Sequence, residues 1–591
     1  MRLFSFKQIS NFERNLIDNL DYKNIILMEN AASSISNILI KLLDGDFIEF
    51  EPKWLNKELK NRLFESLKVF KKNNELTVLV GAGNNGGDAL AVVRKLALKK
   101  SYKINLLTFG EGKTDLRIYQ ERLLKNLNFH NISFLKIDDE TIESILNDTK
   151  NLSDQIQKAI NSPFLIDGIT GIGLKNPIDK KLLKRIEFIE KYKENYSFVI
   201  SIDLPTGCAE ISEKVLKTDI TLMLQWAKAE FFSSENRKYS LSYKIIDCDM
   251  PDPSYFEKED EKPFQVIKDN DNKKLELIEL NDIKRILKKR SFSSHKGDFG
   301  RVFVMSSSIS TLGAPIIACK SAIKTGAGYV YLCLKKEYES FCKVSMPYII
   351  TIPFENNSDL SDFEKILSKS IKEFTDTVLI GCGFGLNNDL FFNILNRIID
   401  KKINILIDGD GLNIIAKEFV KFTKTAENRK ARLVFTPHKK EFERLFDSYI
   451  NFIDENINQN KRMPNNIMED DYAKEKIDKI SFLNKGKLFF NLNLLDGLLM
   501  KDYISHFICE EGIFCNNGCF SGFSKAGTGD FIAGVFATLL SNYKIADAAK
   551  ILLAIQDQLA FDFYNKNIAE ESIISEDLID QLEYSIRSLS D

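Results

Sequence analysis

Apolar residues near the start of the chain recur at helical spacing, Leu16, Ile17 and Leu20 first, then Ile35, Ile38, Leu39 and Leu42. This predicts helices over 12–45 and 55–72. The pattern then changes. Thr77-Val-Leu-Val80 is a short β-rich run that ends in Gly81, and residues 89–98 beyond it have strong helical propensity. The unit reads as strand, glycine loop, helix. Apolar runs at 104–109, 164–166, 198–202 and 220–224 alternate with helical stretches, which is the pattern of a parallel sheet covered by helices. A doubly wound α/β domain is expected.

From Met250 to Lys274 the chain becomes rich in Pro, Asp and Lys, including Pro251, Pro253 and Pro263. That is linker composition. The expected organisation is a domain over 1–250, a linker over 251–275 with the boundary near residue 260, and a domain over 276–591. In the second domain the alternation resumes, with strands expected at 302–305, 329–334, 378–380, 403–407 and 433–435. The polar, Asn-rich, acidic segment 451–471 reads as a surface excursion.

Composition adds limits. At 591 residues the chain exceeds what one hydrophobic core usually supports, so two cores are expected. A formal net charge of −2 gives no general electrostatic reason to bind nucleic acid or anionic membrane, and neither is expected as a partner. The N-terminus, Met1-Arg-Leu-Phe-Ser-Phe-Lys7, has no apolar h-region, and the apolar run 531–540 is far shorter than the ~20 residues that span a bilayer. The 9 cysteines lack framework spacing and fit reduced thiols, so a cytoplasmic protein is expected. His506, Cys509, Cys515 and Cys519 supply enough ligands for zinc on paper. Their segment, however, reads as a β-hairpin, whose alternating faces would not converge on one metal.

The first candidate site is Gly81-Ala-Gly83-Asn-Asn-Gly86, which satisfies the G-x-G-x-x-G dinucleotide fingerprint after a strand, with Glu111 available as a ribose acid. The run continues through Gly87 to Asp88, putting side-chain amides and a carboxylate where a Rossmann loop offers mainly backbone. Its glycines allow positive φ and close ligand approach. Two further strand ends carry acids, Asp167 with Gly171 and Gly173 behind it, and Asp203 followed by Pro205, Thr206 and Gly207. Parallel strands bring such ends to one sheet edge, so three loops should form one pocket. Asp203 on its own could equally be a helix N-cap.

These motifs, in this order, resemble the YjeF N-terminal family, the NAD(P)H-hydrate epimerases, over roughly residues 10–245. The segments at 27–31 and 226–228 are also similar to the family. Ala89 and Thr206 depart from its usual glycine and serine. The resemblance implies that Asn85, Asp167 and Thr206 hold K⁺. It implies that Asn84, Asn85, Gly86, Gly87, Asp88, Gly171, Ile172, Gly173, Leu174, Lys175, Asn176, Pro177 and Asp203 line the hydrated nicotinamide nucleotide. Oxygen-only ligands suit a hard cation, and Asp203 is the candidate acid or base for epimerisation at C6.

The second candidate site is Lys525-Ala-Gly527-Thr-Gly529-Asp530, which opens an apolar helix. Amides at a helix N-terminus suit a phosphate, and a carboxylate beside a phosphate suits a base on an attacking hydroxyl. Asp530 could alternatively be simple N-terminal charge, and G-x-G-D late in an α/β domain is also the signature of ribokinase-like kinases. Segments at 296–300, 381–385, 408–413 and 436–445 make the region about 276–585 similar to the ribokinase-fold NAD(P)H-hydrate dehydratases. That resemblance puts Ala314, Gly381, Gly383, His438 and Asp530 at the hydrated cofactor. It puts Lys501, Asp502, Tyr503, Ile504, Ser505, Gly527, Thr528 and Gly529 at the adenine nucleotide, with Asp530 catalytic. Two departures stand out: Asp502 lies close to a phosphate, and Ser306, Ser307 and Ser308 replace a Gly-rich turn.

The expected fold is therefore α/β throughout, a Rossmann-like three-layer domain with a parallel sheet followed by a ribokinase-like α/β domain. The expected function is repair of hydrated NADH and NADPH (NADHX and NADPHX). The R and S C6 hydrates would be epimerised, and the S epimer dehydrated with ADP and Mg²⁺, releasing AMP and phosphate, in a chain that forms a homo-oligomer. The alternatives are a vitamin or sugar kinase with an accessory domain, and a first domain that serves only as a binding scaffold.

Overall fold

The computed structural model describes residues 1–590 except 47–56, 175–177, 252–273, 309, 357–358, 370–371, 459–479 and 519. The chain forms two compact units, Arg2–Asn272 and Lys273–Asp591, with Met1 in the latter. The expected linker lies almost wholly outside the described residues.

The first unit carries a seven-stranded sheet in the order Ile132–Ile137, Lys103–Phe109, Glu75–Val80, Phe164–Gly168, Phe198–Ile202, Thr218–Leu224 and Ser240–Ile246. Every neighbouring pair is parallel. Strand order reverses between Glu75–Val80 and Phe164–Gly168, so their carboxyl ends border the crevice in which doubly wound folds bind ligands. The strands at Ile132–Ile137 and Ser240–Ile246 escape a search for apolar runs because exposed or polar residues interrupt them.

The helix expected over 12–45 is two helices, Phe6–Leu20 and Asn24–Asp44. Asp21 breaks them by taking a left-handed conformation at φ 51°, which Asp tolerates better than most residues. The apolar spacing runs on across the break, so periodicity alone does not show it. With a mean hydropathy of 1.3, Asn24–Asp44 is long and apolar enough to cross a membrane by length and composition. Ala32, Ile35, Leu39 and Leu42 on this helix are fully buried in the core with Val78 and Val92.

The second unit orders its strands Ile350–Phe354, Tyr329–Lys335, Arg301–Met305, Asp376–Ile380, Asn404–Ile407, Arg432–Phe435 and Gly497–Met500, all parallel. An antiparallel hairpin, His506–Cys509 with Ile513–Cys515, continues the sheet. The hairpin reading of this segment is correct, and Cys519 lies outside the described residues. Residues 451–458, expected as a surface excursion, instead complete the helix Lys439–Asn458. Ile450 and Ile453 sit in the core, and that burial outweighs the poor helical propensity of the intervening Asn. The rest of the excursion is outside the described residues.

Candidate active sites

In the first unit the helix Asn84–Lys99 starts inside the glycine run, with Gly83 as its N-cap. None of Gly81, Gly83, Gly86 or Gly87 has a positive φ, so the expected use of conformational freedom is wrong. Close approach is what excludes side chains: a Cβ on Gly81 would collide with the carbonyl of Ile169, and one on Gly86 with the carbonyl of Gly81. Met28 lies against Gly87. Ala89 is an ordinary buried helical residue, so this departure needs no special backbone.

The three loops do converge. Asn85 Nδ2 donates to the carbonyls of Thr170 at 2.9 Å and Ile202 at 3.2 Å. Its Oδ1 is buried without a hydrogen-bond partner. Asp167 is fully buried and accepts from Thr206 Oγ1 at 2.6 Å and Thr206 N at 2.8 Å. Burial pushes its carboxyl up to about 6, against those hydrogen bonds. Asp203 follows its strand with φ 67°, a conformation that costs a non-glycine residue roughly 1–2 kcal/mol. No helix begins there among the described residues, so Asp203 is not an N-cap. Its Oδ1 lies 2.6 Å from Lys228 Nζ, both side chains nearly fully buried. Gly171 stands next to Asp203 and Asn85, and its absent Cβ leaves room for both.

Two more carboxylates belong to this cluster. Burial pushes Asp88 well above the carboxylate range, and the charges of Asp203 and Glu13 add to the effect while Lys228 opposes it. Burial also pushes Glu13 up to about 7, with Asp203 adding and Lys228 opposing. Glu13 carries no sequence signal beyond being one of two acids on an amphipathic helix, and Lys228 only its place in the family-like segment 226–228. Of the remaining expected residues, Ile172 packs on the cluster around Trp226 and Leu174 on the sheet's other core, while Lys175, Asn176 and Pro177 lie outside the described residues. Glu111 is exposed and pairs with Lys136 at 3.2 Å, which excludes it as the ribose acid of a Rossmann site.

In the second unit Gly527, at φ 87°, caps the helix Thr528–Asn542 and places Asp530 in its first turn. A cavity of about 350 Å³ opens before this helix, lined among others by His438, Lys501, Asp502, Tyr503, Ser505, Thr528 and Gly529. Ile504 is buried in the core and is not part of this wall. Thr528 Oγ1 and Gln556 Oε1, from residues lining the cavity, are buried without a hydrogen-bond partner. Asp502 accepts from the amide of Tyr503 at 2.8 Å. His438, expected at the hydrated cofactor, sits on this wall, with Nε2 3.2 Å from Glu441. Burial lowers its pKa, and the nearby Lys501 adds to this.

Behind the cavity, Lys501 Nζ lies 2.6 Å from Asp408 Oδ1, which also accepts from Thr436 Oγ1 at 2.8 Å. Asp408 was legible only as one letter of a motif, and it is the hub here. Burial pushes Asp530 up to about 6, with Asp408 adding and the Cys382 thiol and Lys501 opposing. Burial pushes Glu441 up to about 7, with Asp408 again adding. Gly381, at φ 130°, packs against the carbonyl of Asp408, and Gly383, at φ 61°, against that of Thr311. Thr311 O also accepts the amide of Ala314 at 3.1 Å, so Ala314, Gly381 and Gly383 are neighbours. The serine run explains itself: Ser306 Oγ donates to the carbonyl of Gly383 at 2.9 Å and Ser307 Oγ to that of Phe384. These hydroxyls tie down the loop that borders a second cavity, of about 510 Å³.

Residues 24–229 match the family described as YjeF-related protein N-terminus, and residues 302–485 match the NAD(P)H-hydrate dehydratase family. The chain is 27% identical over 464 residues to a bifunctional NAD(P)H-hydrate repair enzyme of Dictyoglomus turgidum, covering 77% of each chain. It is 26% identical to the enzyme of that name from Methanocaldococcus jannaschii, covering 84% of this chain and 82% of the relative. A shorter match, 33% identical over 29% of this chain and 58% of the relative, is to the ADP-dependent (S)-NAD(P)H-hydrate dehydratase of Lactococcus lactis. The chain thus joins two families in one polypeptide, belonging to the YjeF-related N-terminal family in its first unit and to the NAD(P)H-hydrate dehydratase family in its second.

Proposed function

We propose that this chain repairs hydrated NADH and NADPH, its first unit interconverting the C6 epimers and its second dehydrating the S epimer at the expense of ADP. The observation that carries this reading is that each unit sets a buried carboxylate cluster, Asp203 with Lys228 and Asp530 with Asp408, beside the first turn of a helix that follows a glycine run.

In the first unit Asp203 exchanges the proton that opens and recloses the C6 centre, with Lys228 holding its orientation. Asn85, Asp167 and Thr206 would hold K⁺, and the orphaned, buried Asn85 Oδ1 fits a hard cation that takes oxygen ligands. When bound, the cation offsets the charge of the substrate's phosphates. Gly86 and Gly87 leave the helix start open to the nucleotide.

In the second unit Asp530 accepts the proton of the C6 hydroxyl as that oxygen attacks the terminal phosphorus of ADP and AMP departs. The phosphate then leaves C6 as the ring nitrogen pushes and C5 releases a proton, which restores the double bond. Amides at Gly527–Gly529 and the ammonium of Lys501 stabilise the charge that builds on phosphate. The Mg²⁺ that accompanies ADP would neutralise phosphate charge when bound. The free, buried thiols among the described residues suit a cytoplasmic site of action.

The test is to incubate the protein with mixed-epimer hydrate, ADP and Mg²⁺ and follow the near-ultraviolet absorbance of the reduced ring, with inorganic phosphate measured in parallel. Full recovery of both epimers is expected. Asp203→Ala should leave one epimer to its spontaneous rate, and Asp530→Asn should slow both by at least about 10²-fold. A stable phosphorylated product without recovery would instead identify a small-molecule kinase.

A further inference from the structure

We propose that Cys382, Asp408 and Asp530 form a binding site for a borderline divalent cation of the zinc type, which shuts the second unit down. The three side chains come from three places, the turn after Asp376–Ile380, the turn after Asn404–Ile407 and the first turn of the helix Thr528–Asn542, and present one sulfur and two carboxylate oxygens, all within 4.8 Å of one another. No other such group of His, Cys, Asp and Glu occurs among the described residues. Cys382 Sγ faces Asp408 Oδ2 at 3.9 Å, and a carboxylate oxygen of Asp530 lies within 4.8 Å of both. Tetrahedral zinc with one sulfur and two oxygen ligands spaces sulfur from oxygen by about 3.5 Å. Small side-chain rotations therefore bring all three ligands to bonding distance.

The surroundings are already those of a ligand set. Asp408 divides its oxygens: Oδ1 is held by Lys501 at 2.6 Å and Thr436 at 2.8 Å, and Oδ2 faces the thiol. Outer partners of this kind fix a carboxylate for metal. Cys382 and Asp408 are almost fully buried, and a divalent ion would offset two neighbouring carboxylates in a poorly hydrated place. The sulfur distinguishes this site from one for Mg²⁺, which demands oxygen. On binding, the Cys382 S–H bond breaks, the thiolate and both carboxylates bond the metal, and the proton leaves to solvent, with no change of oxidation state. Three protein ligands leave a fourth position for water. Asp530, engaged by the metal, can no longer accept the substrate proton. The inhibition rests on the dehydratase reading; the binding does not.

The experiment is a Co²⁺ titration of the whole chain after chelator treatment, read by the thiolate-to-cobalt charge-transfer absorbance in the near ultraviolet. The zinc sensitivity of ADP-dependent dehydration is measured beside it, each variant against its own zinc-free rate. The wild-type chain should gain a saturable band. Cys382→Ser and Cys382→Ala should lose it and raise the half-inhibitory zinc concentration by at least about tenfold. Absence of a band in the wild type, or an equal band and equal inhibition in both variants, overturns the proposal. A band that depends on Cys382 in a chain without dehydratase activity would keep the site and reject the activity.

Discussion

Lys228 Nζ and Asp203 Oδ1 are 2.6 Å apart, at side-chain exposures of 2% and 10%, so neither charge has water to fall back on. Glu13 and Asp88 crowd the same ammonium. Removing it should be severe, because breaking a buried pair from one side costs about 3–5 kcal/mol. Lys228→Met should show that loss in urea unfolding of the first unit, together with loss of epimerisation. Lys228→Met combined with Asp203→Asn should recover much of the stability and none of the activity. A double variant as unstable as the single one would show that the pair is not the source.

Glu13 supplies a pH dependence with a definite sign. Its carboxyl is held at about 7 in the fold against an ordinary value of 4.5. Between those two values the folded chain keeps a proton that the unfolded chain has released, so this residue lowers stability as pH rises through the window, and the loss persists above it. Glu13→Gln cannot ionise. The gain in Tm over the wild type should be near zero at pH 4.5 and reach a few degrees by pH 8, at roughly 2–4 °C per kcal/mol for a unit of this size. Parallel Tm profiles would remove Glu13 from the cluster.

Asn85 offers the buried oxygen without a partner. Saturating K⁺ should raise the Tm of the first unit, since a ligand at about 100 times its Kd adds about 2.7 kcal/mol. Asn85→Ala should abolish the increment when K⁺ replaces a large organic cation at equal ionic strength. An unchanged increment would place the ion elsewhere.

Much of this architecture is legible in the sequence because parallel strands buried on both faces read as continuous apolar runs. Asp376–Ile380 and Asn404–Ile407 are of this kind, buried at every position. The edge strand Ile132–Ile137 is half exposed and leaves no such trace. The same division holds in the sites. Asn85, Asp167, Asp203 and Asp530 stand beside glycine-bearing turns at strand ends or helix starts, where local pattern reports position. Lys228 and Cys382 stand in family-like segments without a role that the segments assign, and Glu13 stands in none, so their places in the clusters come only from tertiary packing.

Asp502 lines the cavity before the Gly527 turn with its carboxylate held at the amide of Tyr503. A negative charge there opposes a polyphosphate, and the opposition is screened by salt. Asp502→Gly should bind ADP with Mg²⁺ about tenfold more tightly at low ionic strength, an effect of about 1.4 kcal/mol, and the advantage should shrink at high salt. Equal affinities at low salt would mean that the carboxylate faces away from the phosphates.

The contact between Met28 and Gly87 has a practical side. The helix Asn24–Asp44 has the hydropathy of an export signal or anchor, and composition alone would invite its removal as a leader. It carries the side chain on which the first turn of the Asn84–Lys99 helix rests. A fragment trimmed at residue 45 would therefore lose the side chain that packs on Gly87.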